Sequence, residues 1–164
     1  GELLKLALRL RFITNDKAIL IINDRLDVAL AAMADGIHLP EDSLAVHDAR
    51  QVVPSQFLVG KSVHDSIGAS TAASEGADYL VLGTIFPTSS KPGTEIGGPD
   101  HVSNVSCLVD APVLAIGGID SYNVVSVMGA GAKGIAVISA ILGAPDPEKA
   151  TRKLKHSMIT AWKA

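Results

Sequence analysis

The sequence predicts an α/β fold, a TIM-type (β/α) barrel that is N-terminally incomplete with about six parallel strands. Three observations carry that reading. Short, almost continuously apolar runs alternate with helical stretches, as strands buried on both faces of a parallel sheet require. Three helix-to-strand joints repeat: Met33-Ala34-Asp35-Gly36-Ile37, Gly76-Ala77-Asp78-Tyr79-Leu80 and Gly131-Ala132-Lys133-Gly134-Ile135. Strand ends at Gly117-Gly118 and Ser139-Ala140 are small and glycine-rich, which favours a barrel over an open doubly wound sheet.

A helix over 2–11 opens the chain. Its apolar run is broken by Lys5, Arg9 and Arg11 and lacks a small-residue cleavage site, so it reads as a helix and not as a signal peptide. A strand over 18–22 follows, then helix 25–34 and strand 36–39. Helix 43–53 leads to strand 57–63, and helix 65–75 to strand 79–82. Helix 99–109 precedes strand 113–116, and helix 121–129 precedes strand 134–138. At the joints, glycine suits the left-handed end of a helix and the apolar run behind it restarts the sheet. A last helix runs from about Asp146 towards Trp162, with Pro147 in its first turn. An eight-fold barrel typically takes about 250 residues. A chain of 164 that opens on a helix, with Gly1 in the initiator position, therefore reads as one barrel domain, 1–164, short of its first β-α-β. The two sheet edges such a barrel exposes invite homo-oligomer formation.

Composition narrows the function. Hydrophobic residues make up 48% and aromatic ones 4%, which suits an aliphatic sheet covered by helices. A formal charge of −3 leaves no basic footprint for nucleic acid, so any phosphate must be recognised locally. Cys107 is the single cysteine, which excludes an internal disulfide and a cysteine metal cluster. With no apolar run of bilayer length, no membrane partner is expected, and a cytoplasmic enzyme is the default.

Chemistry in parallel β/α folds collects at the C-terminal ends of strands. The first end carries Asn23 and Asp24, suited to Mg²⁺ or a polar substrate, or equally to capping the next helix. At the second, Glu41 and Asp42 could reach a metal held by Asp24, or Asp42 or Ser43 could cap a helix beginning at Leu44. Alternation along the third strand places Ser62 and His64 on one side, inside the barrel mouth. His64 suits general acid/base work or a hydrogen bond to the next helix. The fourth end opens a long loop, 83–93, in which Thr88, Ser90 and Lys91 make a mobile anion clamp. At the fifth and sixth, Gly117-Gly118 and Ile138-Ser139 offer main-chain amides to a phosphate.

These strand ends resemble one family along nearly the full chain. The motifs are Ile-Ile-Asn-Asp-Arg at 21–25, Asp-Gly-Ile-His-Leu at 35–39, Ser-Val-His at 62–64, Gly-Thr-Ile-Phe-Pro-Thr at 83–88, Ile-Gly-Gly-Ile at 116–119 and Ala-Val-Ile-Ser-Ala-Ile at 136–141. In that order they are similar to thiamine phosphate synthases and TenI-type thiazole tautomerases. The resemblance implies thiamin precursors as ligands, with a thiazole phosphate bound by Gly118 and Ser139. In a synthase, Asn23 would contact the leaving pyrophosphate, Asp24 the Mg²⁺, and Thr88, Ser90 and Lys91 the phosphates, with Ser62 near the reacting centre. Two departures stand out. The basic Gln-x-Arg-x-Lys strand of synthases would precede residue 1, and Ser43 aligns with the second metal carboxylate, leaving Glu41-Asp42 out of register. In the tautomerase branch the resemblance implies that His64 shuttles a proton. Three readings follow: an Mg²⁺-dependent transferase that couples hydroxymethylpyrimidine diphosphate with thiazole phosphate, a tautomerase using His64, and a non-catalytic thiazole-phosphate-binding protein.

Overall fold

A computed structural model describes residues 1–90 and 93–162. Six parallel strands, β1 (Ile21–Asn23), β2 (Gly36–Leu39), β3 (Leu58–Val63), β4 (Tyr79–Leu82), β5 (Val113–Ile116) and β6 (Gly134–Ala136), pair in sequence order. They form a curled half-barrel, in which β1 and β6 have a neighbour on one side only among the described residues. The helices are α1 (Glu2–Thr14), α2 (Leu26–Ala31), α3 (Val46–Arg50), α4 (Ser66–Ser74), α5 (Gly98–Ser106), α6 (Val124–Gly129), α7 (Ser139–Leu142) and α8 (Pro147–Trp162). Among the described residues no helix is long and apolar enough to cross a membrane.

The strands alternate more strictly than their apolar composition suggests. Ile37, Leu39, Val59, Val63, Leu80, Leu82, Val113 and Ala115 are buried on one face, and α3–α6 pack there through Val46, Ala49, Ala69, Ala72, Val102, Val105, Val124 and Val127. The opposite face carries His38, Gly60, Ser62, Tyr79 and Val81, and it is this face that forms the barrel interior. A Cβ on Gly60 would come within 2.0 Å of the Tyr79 ring, so the glycine makes room for that ring. Tyr79 in turn stacks on His38 at 5.8 Å between centroids.

At two joints an aspartate and an arginine set the strand register. Asp35 Oδ2 accepts the Leu20 amide at 2.6 Å and pairs with Arg11 at 2.8 Å. Asp78 repeats the device, accepting the Val59 amide at 2.7 Å and pairing with Arg50. Arg50 also donates to the Phe57 and Gly76 carbonyls, both at 2.8 Å, joining α3 to the starts of β3 and β4. Gly76 and Gly131 take the expected left-handed conformation, with φ of 92° and 102°. At the first joint Met33 takes it instead, with φ of 50°. Gly36 is required there for close packing, because a Cβ would lie 2.4 Å from the Leu58 carbonyl.

Several boundaries differ from those read in the sequence. The strand expected over 18–22 begins at Ile21: the Lys17 and Ala18 amides close α1 onto Thr14, and the Leu20 amide goes to the Asp35 side chain. The helix expected over 43–53 is confined to Val46–Arg50. Asp42 and Ser43 do not cap it; the Ser43 hydroxyl turns back to Pro40 at 2.9 Å. Glu75, from the end of α4, accepts the Val46 and His47 amides at 3.1 and 3.4 Å and serves as the cap. Asn23 and Asp24 likewise leave α2 uncapped: its N-cap is Arg25, with no side-chain cap bond among the described residues. The helix expected from Ser121 starts at Val124, since Asp120 and Asn123 close a side-chain box over 120–123. β6 ends at Ala136, and the chain turns directly into the short α7.

Candidate active site

The strands deliver their C-terminal ends around a cavity of about 220 Å³. Asn23 reaches it from β1, His38 from β2, and Ser62 and His64 from β3. Thr88 and Ser90 come from the loop after β4, Gly117 and Gly118 from the end of β5, and Ile138 and Ser139 from the junction of β6 and α7. The residues picked out at four of the strand ends, together with Asn23 from β1, therefore share one space. Asp24 follows β1 at the rim, outside the lining, and Lys91 lies outside the described residues.

The glycine pair is held tightly. Gly117 and Gly118 have φ of 105° and 61°, which favours residues without a Cβ. A Cβ on Gly118 would lie 2.4 Å from the Pro87 carbonyl oxygen and 2.8 Å from that of Phe86. The amides of Ile85 and Phe86 donate to Ile116 and Gly117, both at 3.0 Å, and Asn123 Nδ2 donates to Gly118 at 2.9 Å. The far end of the same loop is stitched back by the Gly97 amide to Thr84 at 2.9 Å. The start of the loop expected to be a mobile clamp is thus tied to β5, with Ile85 buried beneath it.

His64 bridges three segments. Its Nδ1 donates to the Gly83 carbonyl and its Nε2 lies 3.3 Å from Glu41 Oε2. His101, on α5, donates from Nε2 to the His64 carbonyl at 2.9 Å. The expected hydrogen bond from His64 to the next helix is absent among the described residues; Asp65 caps α4 by accepting the Gly68 amide at 2.7 Å.

His38 escaped the sequence reading of the site. Its Nε2 is 2.8 Å from Ser62 Oγ, while Nδ1 is buried and has no partner among the described residues. Burial, and secondarily the Lys61 charge, holds its imidazolium below the ordinary range. The stacked Tyr79 hydroxyl is pushed up to about 12 by burial. Alternation in Gly36–Leu39 could have found His38, because Ile37 and Leu39 face the helices and leave it facing inward. Thr84 lines the cavity too, without having been singled out.

Glu41 does not converge on Asp24 to build a metal cage: among the described residues no group of three His, Cys, Asp or Glu is placed to hold an ion. The donors that remain are Asp24, whose carboxylate is not spent on a helix cap, and the amide of Asn23 beside it. Mg²⁺ keeps several waters and commonly takes one or two carboxylates plus substrate phosphates, so this donor set fits it only together with a diphosphate.

The model of the family described as thiamine monophosphate synthase matches residues 1–141, so every strand end around the cavity lies within the match. The chain belongs to the thiamine monophosphate synthase family. A thiamine-phosphate synthase of Methanoculleus marisnigri is 46% identical over 162 residues, 98% of this chain and 77% of that protein. One from Haloquadratum walsbyi is also 46% identical, over 145 residues, 86% of this chain and 65% of the relative. Among solved structures, thiamine phosphate pyrophosphorylase from Pyrococcus furiosus superposes with a TM-score of 0.90 at 36% identity, covering 98% of this chain and 77% of that one. A 3-hexulose-6-phosphate synthase, at 18% identity and a TM-score of 0.75, shares the fold alone.

Proposed function

We infer that the chain is a transferase of thiamin biosynthesis, coupling hydroxymethylpyrimidine diphosphate with thiazole phosphate to give thiamine phosphate and pyrophosphate. The observation that carries the reading is the meeting of the Gly117-Gly118 and Ile138-Ser139 tips at the cavity that also receives Ser62, Thr88 and Ser90. Amides of Gly118 and Ser139 hold the thiazole phosphate, as oriented backbone N–H groups do for anions. Thr88, Ser90 and Lys91 grip the diphosphate, and Asn23 contacts it from the opposite rim. His38 and Ser62 provide a polar floor for the heterocycle.

The bond from the pyrimidine methylene carbon to the diphosphate oxygen breaks, and its electron pair departs on the oxygen. The thiazole nitrogen lone pair then forms the new carbon–nitrogen bond. The residues' task is to orient the two partners and to compensate the charge that develops on the diphosphate. Asp24 and Asn23 would hold Mg²⁺ against that group, and the ion when bound supplies charge neutralisation. His64 has both ring nitrogens engaged, by Gly83 and Glu41, which speaks for a bracing role and against the free proton shuttle a tautomerase needs.

The test mixes the chain with both precursors and Mg²⁺ and follows thiamine phosphate and pyrophosphate by chromatography. Equal release of the two products is expected. Binding of thiazole phosphate without either product would replace the synthase with a phosphate-binding protein, and isomerisation of a thiazole carboxylate phosphate would replace it with a tautomerase.

A further inference from the structure

Lys61 lies between the cavity residues Gly60 and Ser62 on β3 but leaves the sheet on the opposite face, in register with Leu39 and Leu80. Its ammonium spends all three protons on one turn, donating to the carbonyls of Pro40 at 2.8 Å, Glu41 at 3.0 Å and Leu44 at 3.2 Å. Burial disfavours the charge at this position, and the carboxylates of Glu75, Glu41, Asp42 and Asp24 favour it in part. Glu75 also braces the far end of this turn through the Val46 and His47 amides. The turn thus held presents Glu41 to His64 Nε2 at 3.3 Å, and His64 Nδ1 fastens Gly83, the first residue of the loop that carries Thr88 and Ser90.

We propose that Lys61 is a positioning residue for the coupling reaction: through the 40–44 turn, Glu41 and His64 it sets the loop that grips the diphosphate. The proposal rests on the synthase reading and extends it to a side chain that does not enter the cavity. Lys61 does not touch substrate. It works at one end of a strap running from β3 over the end of β2 and back to the end of β4.

The experiment compares Lys61→Met, Glu41→Gln and the double variant. Steady-state kinetics are measured for each precursor in turn, and amide hydrogen exchange is followed at Ser43, whose N–H shares the Pro40 carbonyl with Lys61 at 3.1 Å. Lys61→Met is expected to speed Ser43 exchange by about tenfold or more, as loss of a charged hydrogen bond does. The KM for the pyrimidine diphosphate rises by about tenfold or more, while that for thiazole phosphate, bound at Gly118 and Ser139, stays within about twofold. The double variant adds nothing beyond the larger single effect, because both substitutions cut the same strap. Equal losses for both precursors, or additive losses in the double variant, overturn the proposal by making Lys61 merely structural. If the unaltered chain forms no thiamine phosphate, the synthase reading falls on its own. Ser43 exchange unchanged in Lys61→Met is then the result that overturns the strap.

Discussion

Gly118→Ala puts the phosphate site to its most direct test. At φ of 61° an alanine sits in the left-handed region, which costs about 1–2 kcal/mol relative to glycine. Its Cβ would also lie 2.4 Å from the Pro87 carbonyl oxygen, and an allowed contact of 3.0 Å needs 0.6 Å of movement in the main chain of either loop. Neither side yields freely: Phe86 N is bonded to Gly117 O, and Asn123 holds Gly118 O. With backbone strain and loop displacement together, stability should fall by about 2–3 kcal/mol. Displacement on the scale of an ångström at a positioned group costs about 10²-fold, so thiazole phosphate affinity and kcat/KM should drop by about that factor. Calorimetric titration with thiazole phosphate reads the first, and a urea midpoint read beside it shows that the variant is folded. Gly129→Ala is the control, since nothing lies within 4 Å of its added Cβ at the end of α6. That variant should gain about 0.5–1 kcal/mol and bind normally. Wild-type affinity in Gly118→Ala would refute the placement of the phosphate at these two tips.

Three further outcomes follow from the same structure. Arg50→Met cuts α3 from the Phe57 and Gly76 carbonyls and leaves Asp78 unpaired, so the urea midpoint should shift by the equivalent of about 2–3 kcal/mol; a shift below about 0.5 kcal/mol contradicts the joint. His38, whose folded-state value is lowered by burial below the ordinary 6.5, contributes stability that is fully present above pH 6.5 and is lost as the pH falls through the lowered value. Denaturation midpoints should therefore decline on acidification below pH 6.5, and His38→Asn should flatten that decline; an identical slope in the variant removes the assignment. Asp24→Ala and Lys91→Ala should each lower coupling by at least about 10²-fold, with Asp24→Ala raising the Mg²⁺ concentration needed for half-maximal rate, and unchanged turnover in both counts against the diphosphate grip.

Residue order alone suffices for the part of this protein governed by short-range pattern. Apolar runs and the three joints located all six strands and their order, because strand burial and helix termination depend on neighbours within a few residues. Strand-end logic then assembled the cavity residues: in a parallel sheet every strand points the same way, so residues from 23 to 139 gather at one end. Reading Asp42 or Ser43 as a cap failed for a physical reason. A helix N-terminus accepts any carboxylate that reaches it, and Glu75, distant in the chain, reaches α3 across the α4 end. Only the tertiary structure could decide such pairings. His38 meets Ser62 across two paired strands, Glu41 meets His64 over a strand end, and Lys61 turns away from the cavity to hold a loop. Each depends on the curl of the sheet and on which side chain can span the gap between elements, quantities that residue order along one chain does not contain.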